Sequence, residues 1–330
     1  MRIKNSMKKV LITIASILVL VGIAVQASDL IIESKTQNYA EKDSKIKFNG
    51  DVKVTIDDLK VVGDSADVNV VDGEKLETAT FYDKPYAFEI KKNKKREVKA
   101  NILKVSLISK IIRAEGDTQS IVFDGKTPVV VINANTQEYN TKTGVMVATG
   151  AVTMLYKDIE TFSNRAEITT DKNGDLKKLV LIGNARVKQE KNESLADKFI
   201  YEASTGNLTA YGNTTSNAIM DDGAKLVLKS NYQEYNQKRS VFNASGNVRI
   251  WYQDYYAAGP KVSLYPAAGS TKPNEAYFIG RSSITQGVRT IYADKIKMVM
   301  KPKSFDAQGN TRTVIKNIGS GTDDNVSLGL

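Results

Sequence analysis

The sequence predicts an all-β protein: an array of about nine strand repeats, each ~33 residues long. Three observations predict it. Glycines that open a run of alternating side chains recur at a near-constant interval. A small residue followed by a polar one recurs at the same interval, out of phase. The residues around each glycine keep one register, small or apolar on one face and polar on the other.

The reference copy is NASGNVRIWY, residues 243–252. Ala244, Gly246, Val248, Ile250 and Tyr252 share one face, and Ser245, Asn247, Arg249 and Trp251 the other. Equivalent glycines are Gly50, Gly116, Gly150, Gly183, Gly212, Gly280 and Gly309. From Gly116 onward the steps are 34, 33, 29, 34, 34 and 29 residues. The second marker reads Ser34-Lys35, Ala66-Asp67, Ala100-Asn101, Ala134-Asn135, Ala166-Glu167, Ala196-Asp197, Ser230-Asn231 and Ala293-Asp294, with Ala258-Gly259 a degenerate copy. Interleaved, the markers give nine repeats, one lacking its glycine near Asp83. Two residues after the glycines stand Val52, Thr118, Val152, Ala185, Thr214, Val248, Ser282 and Thr311, and four after stand Val54, Ser120, Met154, Val187, Ser216, Ile250, Ile284 and Thr313. Such self-similarity indicates stacked repeats sharing one core. The glycine reads as a bulge or a close backbone approach rather than a phosphate cradle, since no helix follows it.

A longer echo overlies the repeat. Gln37-Asn38-Tyr39, Gln137-Glu138-Tyr139 and Gln233-Glu234-Tyr235 recur about every hundred residues. The chain therefore divides into three β modules, 28–130, 131–225 and 226–318.

Composition limits the chemistry. The 330 residues contain no cysteine and no histidine, which excludes thiol chemistry, histidine-based acid–base catalysis and the usual zinc sites. A hydrophobic content of 41% argues for a folded chain. Residues 1–27 read as a targeting segment. Arg2, Lys4, Lys8 and Lys9 precede an apolar run at 10–27, and Val25-Gln26-Ala27 fits a cleavage site. The run is also long enough to serve as an inner-membrane anchor. Both readings put residues 28–330 outside the cytoplasm. Without the leader the net charge falls from +10 to about +6.

Local signals fill in the rest. KKNKKREVK, 91–99, reads as a solvated loop or a guarded strand edge, with attraction to anionic headgroups as the functional alternative. Asn173-Gly174, Thr205-Gly206-Asn207 and Asp221-Asp222-Gly223 read as turns. YPAAGSTKPNEAY, 265–277, reads as a surface loop, and 319–330 as a disordered tail. Trp251, Tyr252, Tyr255 and Tyr256 form the densest aromatic cluster, read as core or as the rim of a lipid groove.

These strands resemble the LptA/OstA family of lipopolysaccharide-transport proteins. The residues that carry the resemblance are Gly246-Asn247-Val248-Arg249-Ile250, Gly50-Asp51-Val52-Lys53-Val54, Gly183-Asn184-Ala185, Ala196-Asp197 and Ala293-Asp294. The resemblance implies an elongated β-jellyroll, or β-taco, of two facing sheets, open at both ends, with lipid carried inside. It implies a periplasmic protein that binds lipopolysaccharide or a similar glycolipid. It implies partner jellyrolls in a transport bridge: an inner-membrane LptC-like protein, an outer-membrane LptD-like protein, or itself head-to-tail. The physics agrees, because a dozen exposed CH₂ groups cost about 9 kcal/mol in water, which a continuous apolar groove removes.

The residues expected to line that groove are Phe48, Val52, Val54, Met154, Leu181, Val187, Val248, Ile250, Phe278 and Ile284. No catalytic residue, metal ligand, cofactor or nucleic-acid partner is expected. The alternative is an exported structural or adhesive β-solenoid with a filled core. A carbohydrate-active enzyme would need converging carboxylates, and acidic residues such as Asp51, Asp171, Asp175, Asp221 and Asp222 fall on outward or turn positions.

Overall fold

The computed structural model describes residues 30–316, apart from 41, 43, 57–58, 72–74, 92–93, 107–108, 110, 141, 157, 172–175 and 271. The leader, the Asn173-Gly174 turn and the tail at 319–330 lie outside the described residues. Among the described residues there are 22 strands and no α-helix. The chain opens with β1 (Leu30–Glu33), β2 (Thr36–Ala40), β3 (Lys45–Ile56) and β4 (Leu59–Val71). Short strands follow: β5 (Lys75–Tyr82), β6 (Tyr86–Lys91), β7 (Lys94–Lys99) and β8 (Ile102–Ser106). Then come β9 (Ile111–Asp124), β10 (Thr127–Asn140), β11 (Val145–Tyr156), β12 (Ile159–Thr170), β13 (Leu176–Gln189) and β14 (Asn192–Glu202). The rest are β15 (Asn207–Ile219), β16 (Lys225–Asn236), β17 (Val241–Tyr252), β18 (Tyr255–Pro266), β19 (Pro273–Gln286), β20 (Arg289–Val299), β21 (Ser304–Gln308) and β22 (Arg312–Ile315).

The short strands are halves of longer rungs. β1 and β2 both pair with β3, and β5 and β6 both pair with β4. β7 and β8 both pair with β9, and β21 and β22 both pair with β20. Merging those four pairs of halves leaves eighteen rungs, two for each of the nine repeats. Each rung runs antiparallel to the next from β9 to β14 and from β16 to β20. The chain forms two compact bodies that divide between Tyr211 and Gly212, within β15. Each has its own apolar core, one running from Phe48 to Ala210 and the other from Met220 to Met300.

The recurring glycine is a corner. All eight have positive φ, between 70° and 90°, and in seven the next residue is left-handed as well, as at Gly246 and Asn247 (75° and 56°). Left-handed backbone costs most residues ~1–2 kcal/mol, and Asn and Asp tolerate it best. Asp51, Asp117, Asn184, Asn213, Asn247 and Asn310 fill the second position accordingly. The two corner residues oppose one residue of the neighbouring rung, so the ladder shifts register there, for example between Ser245 and Val248. The repeat without a glycine turns by the same device. Asp83 and Lys84 have φ of 65° and 60°, and the rung breaks there into β5 and β6.

The bend folds each rung back on itself. In β10, Val130, Ile132 and Ala134 are buried before the corner residue Asn135, and Gln137 and Tyr139 after it. Gln137 Nε2 donates to the carbonyl of Ile132 at 3.3 Å. Five residues of straight strand span roughly 16 Å, far beyond the reach of a glutamine. The two halves of the rung therefore face each other, and the sheet covers its own apolar face. This is the two-layered jellyroll.

The facing corner residue is the polar member of the second sequence marker. A Cβ built on Gly150 would lie 2.5–2.9 Å from the Asn135 side chain, and Asn101, Asn231 and Asp294 crowd Gly116, Gly246 and Gly309 in the same way. Three marker copies are misplaced in the sequence reading. The corner of β12 is Asn164, after Ser163, rather than Glu167. That of β4 is Asp64, after Gly63, and that of β18 is Pro260. The relevant small residue is the last inward one before the bend, and an alanine farther along mimics it.

Residues 94–99 of the basic run are neither a loop nor an edge. β7 lies between β6 and β9. The loop at 265–277 is shorter than expected, because β18 reaches Pro266 and β19 starts at Pro273.

Candidate lipid-binding interior

The interior is built by alternation. Each half-rung sends every second side chain inward, and the corners keep both halves facing the same space. The expected lining residues are all on that side, in two sets. Phe48, Val52, Val54, Met154, Leu181 and Val187 belong to the first body, and Val248, Ile250, Phe278 and Ile284 to the second. Met154 and Val187 are half-buried against the core; the other eight are at most 5% exposed. The interior is thus occupied by side chains in both bodies. The aromatic cluster splits across the sheet. Tyr252 and Tyr255 are buried, whereas Trp251 and Tyr256 meet on the outer face with ring centroids 5.3 Å apart.

Polar groups also enter the interior, at places the sequence reading did not assign. Thr118 Oγ1 donates to the Ala134 carbonyl at 2.8 Å, and Ser120 Oγ donates to Gln137 Oε1 at 2.5 Å. The second body repeats this clasp. Thr214 Oγ1 donates to the Ser230 carbonyl at 2.8 Å, Ser216 Oγ donates to Gln233 Oε1 at 2.6 Å, and Gln233 Nε2 donates to the Leu228 carbonyl at 3.3 Å. All six side-chain positions were visible as inward members of the register and as the glutamine echo. What the sequence lacked was the fold-back that brings them together. These hydrogen bonds satisfy groups that would otherwise be buried at a cost of about 1–3 kcal/mol each.

A charge pair is buried in the first body. Glu89 is 1% exposed, and Arg96 Nη1 lies 3.6 Å from its Oε2 across the β6–β7 ladder. Glu89 could have been found by carrying the alternation through Ala87, its inward neighbour. Burial pushes the nearby Tyr139 hydroxyl up to about 12, opposed by a hydrogen bond with Thr170 and by the Arg96 charge. On the outer face, Lys95 pairs with Glu97 and sits 5.4 Å over the Phe88 ring. Tyr86 donates to Glu97 at 2.5 Å. Lys95, Arg96 and Glu97 of the basic run are therefore engaged within the sheet.

In the second body the Tyr252 hydroxyl donates to Asp222 Oδ2 at 2.7 Å. Burial, and then this carboxylate, push Tyr252 up to about 12, and the same bond holds Asp222 below the usual carboxylate range. Asp222 also accepts from the Ala224 backbone N–H, which fixes the turn at Asp221-Asp222-Gly223. These bonds, with one that Gln253 Nε2 donates to Asp222 Oδ2 at 2.6 Å, tie the end of β17 to that turn. Among the described residues, no three acidic side chains converge as a metal site.

The family model for LPS transport proteins of the LptA/LptD N-terminal type matches residues 31–124 and 131–265. That is more than two thirds of the chain. The chain belongs to this family. No curated protein matches it at a significant level. Among solved structures, LptH of Pseudomonas aeruginosa is similar to it at 12% identity and a TM-score of 0.35, over 39% of this chain and 95% of LptH. LptH is described as the LptA homologous periplasmic component of the conserved lipopolysaccharide transport device. The family match includes the reference strand β17.

Proposed function

We propose that this chain is a periplasmic, non-catalytic carrier that shelters the acyl chains of lipopolysaccharide, or a similar glycolipid, between the inner and outer membranes. The observation that supports it most is an apolar face maintained rung after rung within each body, in a member of a lipopolysaccharide-transport family. Transport along such a face needs no chemistry. Each CH₂ kept from water is worth ~0.8 kcal/mol, so a sheltered path removes the main barrier to moving a lipid through an aqueous space. The two layers are continuous through backbone at the corners. At the opposite side the rungs end in turns, and this is where an acyl chain would part the layers. The ten inward residues named above would then touch lipid. In the bridge, the partners would be jellyroll proteins at either membrane.

A second reading has one observation in its favour. Eight of the ten lining residues are at most 5% exposed, as in a filled structural array. The two readings separate by photo-crosslinking in the native envelope. A photoreactive residue at inward Ile250, or at half-buried Met154, is expected to capture lipopolysaccharide, while one at outward Arg249 captures none. Lipid-free protein at both inward positions, from a variant that folds as wild type, refutes the carrier reading and leaves the filled array.

A further inference from the structure

The outer face of the second body carries a strip that the carrier reading does not use. Two rows of outward side chains cross the rungs from β16 to β20 and the half-rung β22. The row next to the turns reads Val227, Trp251, Tyr256, Thr285, Thr290 and Val314. The row behind it reads Lys229, Arg249, Ala258, Ser283, Tyr292 and Arg312. Neither row contains a carboxylate. Lys229, Arg249 and Arg312 are exposed, and Trp251, Tyr256 and Tyr292 are half-buried.

Each end of the strip sets a cation beside a ring. Lys229 Nζ lies 5.8 Å from the Trp251 ring centroid, and the Arg312 guanidinium 5.7 Å from that of Tyr292. Such contacts hold a cation against a ring without neutralising its charge. Arg249 Nη2 donates to Asn247 Oδ1 at 3.5 Å. The ion pairs of the second body are made by Lys272, Arg281, Lys297 and Lys303, and among the described residues none involves Lys229, Arg249 or Arg312. The carboxylates bordering the strip are committed elsewhere. Asp222 accepts from Tyr252 and Gln253, Asp254 from Gln286 and Lys303, and Asp294 faces Arg281 and Asn310.

The first body fills the same register differently. There Leu155, Glu160, Lys188 and Glu193 stand next to the turns, with Thr153, Phe162, Arg186 and Leu195 behind them. Lys188 pairs with Glu160 at 3.6 Å and Arg186 with Glu193 at 3.5 Å. The cations in those rows are balanced, whereas those of the second-body strip are not.

We propose that this strip binds an anionic polysaccharide strand. Five gaps between rungs make it roughly 24 Å long, with its two rows about 7 Å apart. A protein partner would cover about 800 Å² on each side, several times more than so narrow a track offers, whereas one extended chain fits it. A sugar ring presents an apolar C–H face, which suits the flat faces of Trp251, Tyr256 and Tyr292. Its hydroxyl edge meets Ser283, Thr285 and Thr290. Its acidic groups meet Lys229 and the guanidinium forks of Arg249 and Arg312, which match carboxylate geometry. From the carrier reading the proposal takes only the exported setting, where such a polymer is a glycan rather than a nucleic acid. The strip lies on the outer face and the lipid would lie inside, so the two readings fail separately.

Trp251 is the only tryptophan of the chain, so its emission reports on the strip directly. Titrating the whole exported protein with oligogalacturonate, which carries a carboxylate on every ring, is expected to shift that emission saturably. Arg249→Gln and Arg312→Gln should each weaken binding about tenfold. Arg186→Gln, in the balanced rows of the first body, should leave it unchanged. Dextran oligomers of equal length, which lack the charge, should bind at least about tenfold more weakly. The side chains of Arg249 and Arg312 are exposed, so both variants should melt with wild type. An emission that does not change on titration, with no heat of binding by calorimetry, overturns the proposal. So does binding that Arg249→Gln and Arg312→Gln leave unchanged, or that Arg186→Gln weakens equally. Displacement of the glycan by a single-stranded oligonucleotide or by phosphatidylglycerol vesicles at lower charge concentration overturns the assignment to a polysaccharide.

Discussion

The corner makes a sharp prediction about Gly150. Its φ is +82°, and a Cβ added there would lie 2.5 Å from Asn135 Nδ2, 2.8 Å from Cγ and 2.9 Å from Cβ. Gly150→Ala therefore carries two penalties. Left-handed backbone costs an alanine about 1–2 kcal/mol. The overlap costs about 1–3 kcal/mol more, because the Asn135 Cβ is fixed to the backbone and cannot rotate away. Gly125→Ala, in the same body, isolates the first penalty: its φ is +60° and nothing lies within 4 Å of the added atom. Urea unfolding should place Gly150→Ala about 1–3 kcal/mol below Gly125→Ala, with an unchanged denaturant slope. Adding Asn135→Gly to Gly150→Ala should recover most of that difference as a coupling energy. Equal destabilisation by the two alanines, or a double variant that is simply additive, would refute the close-approach account of the corner.

Three further outcomes follow from the geometry. Phe278→Ala, at a site 1% exposed, should cost about 3–5 kcal/mol, whereas Ile279→Ala, next to it and 54% exposed, should cost under about 0.5 kcal/mol in the same melt. Gln233→Leu removes the acceptor of the Ser216 hydroxyl bond and the donor to the Leu228 carbonyl and should cost about 1–3 kcal/mol, with Ser216→Ala in the same chain restoring part of it. Tyr139 and Tyr252 should ionise only at about pH 12 in an absorbance titration, a late step that Tyr139→Phe and Tyr252→Phe each reduce. Their folded values are raised, so their contribution is complete below the unfolded value near pH 10 and is lost as pH rises toward 12. For Tyr139 this is roughly 2–3 kcal/mol, read as the pH-dependent stability difference between wild type and Tyr139→Phe.

Local rules carried much of this protein. Alternation, and a glycine wherever backbone must turn left-handed against a close neighbour, are properties of a few consecutive residues. They made the repeat, its nine copies and the inward face of β17 legible without coordinates. Even the repeat lacking a glycine was located near Asp83, where Asp83 and Lys84 supply the left-handed pair. Where the reading slipped, at Ala166-Glu167 and Ala66-Asp67, the cause was that small inward residues occur on both sides of a bend and the bend itself leaves no separate mark.

Tertiary structure decided what lies across the bend. Ile132 and Gln137 are five residues apart, and only the folded rung brings their polar groups within 3.3 Å. The same closure turned an unexplained glutamine echo into two clasps, placed Arg96 inside beside Glu89 rather than in a solvated run, and filled the interior with the residues expected to line it. None of these is local. Each depends on which residues the second layer sets opposite the first, and that pairing is fixed by the geometry of the corner together with the register of neighbouring rungs. The sequence determined that the chain would be a repeating two-faced β array; the fold-back determined which of its inward groups meet.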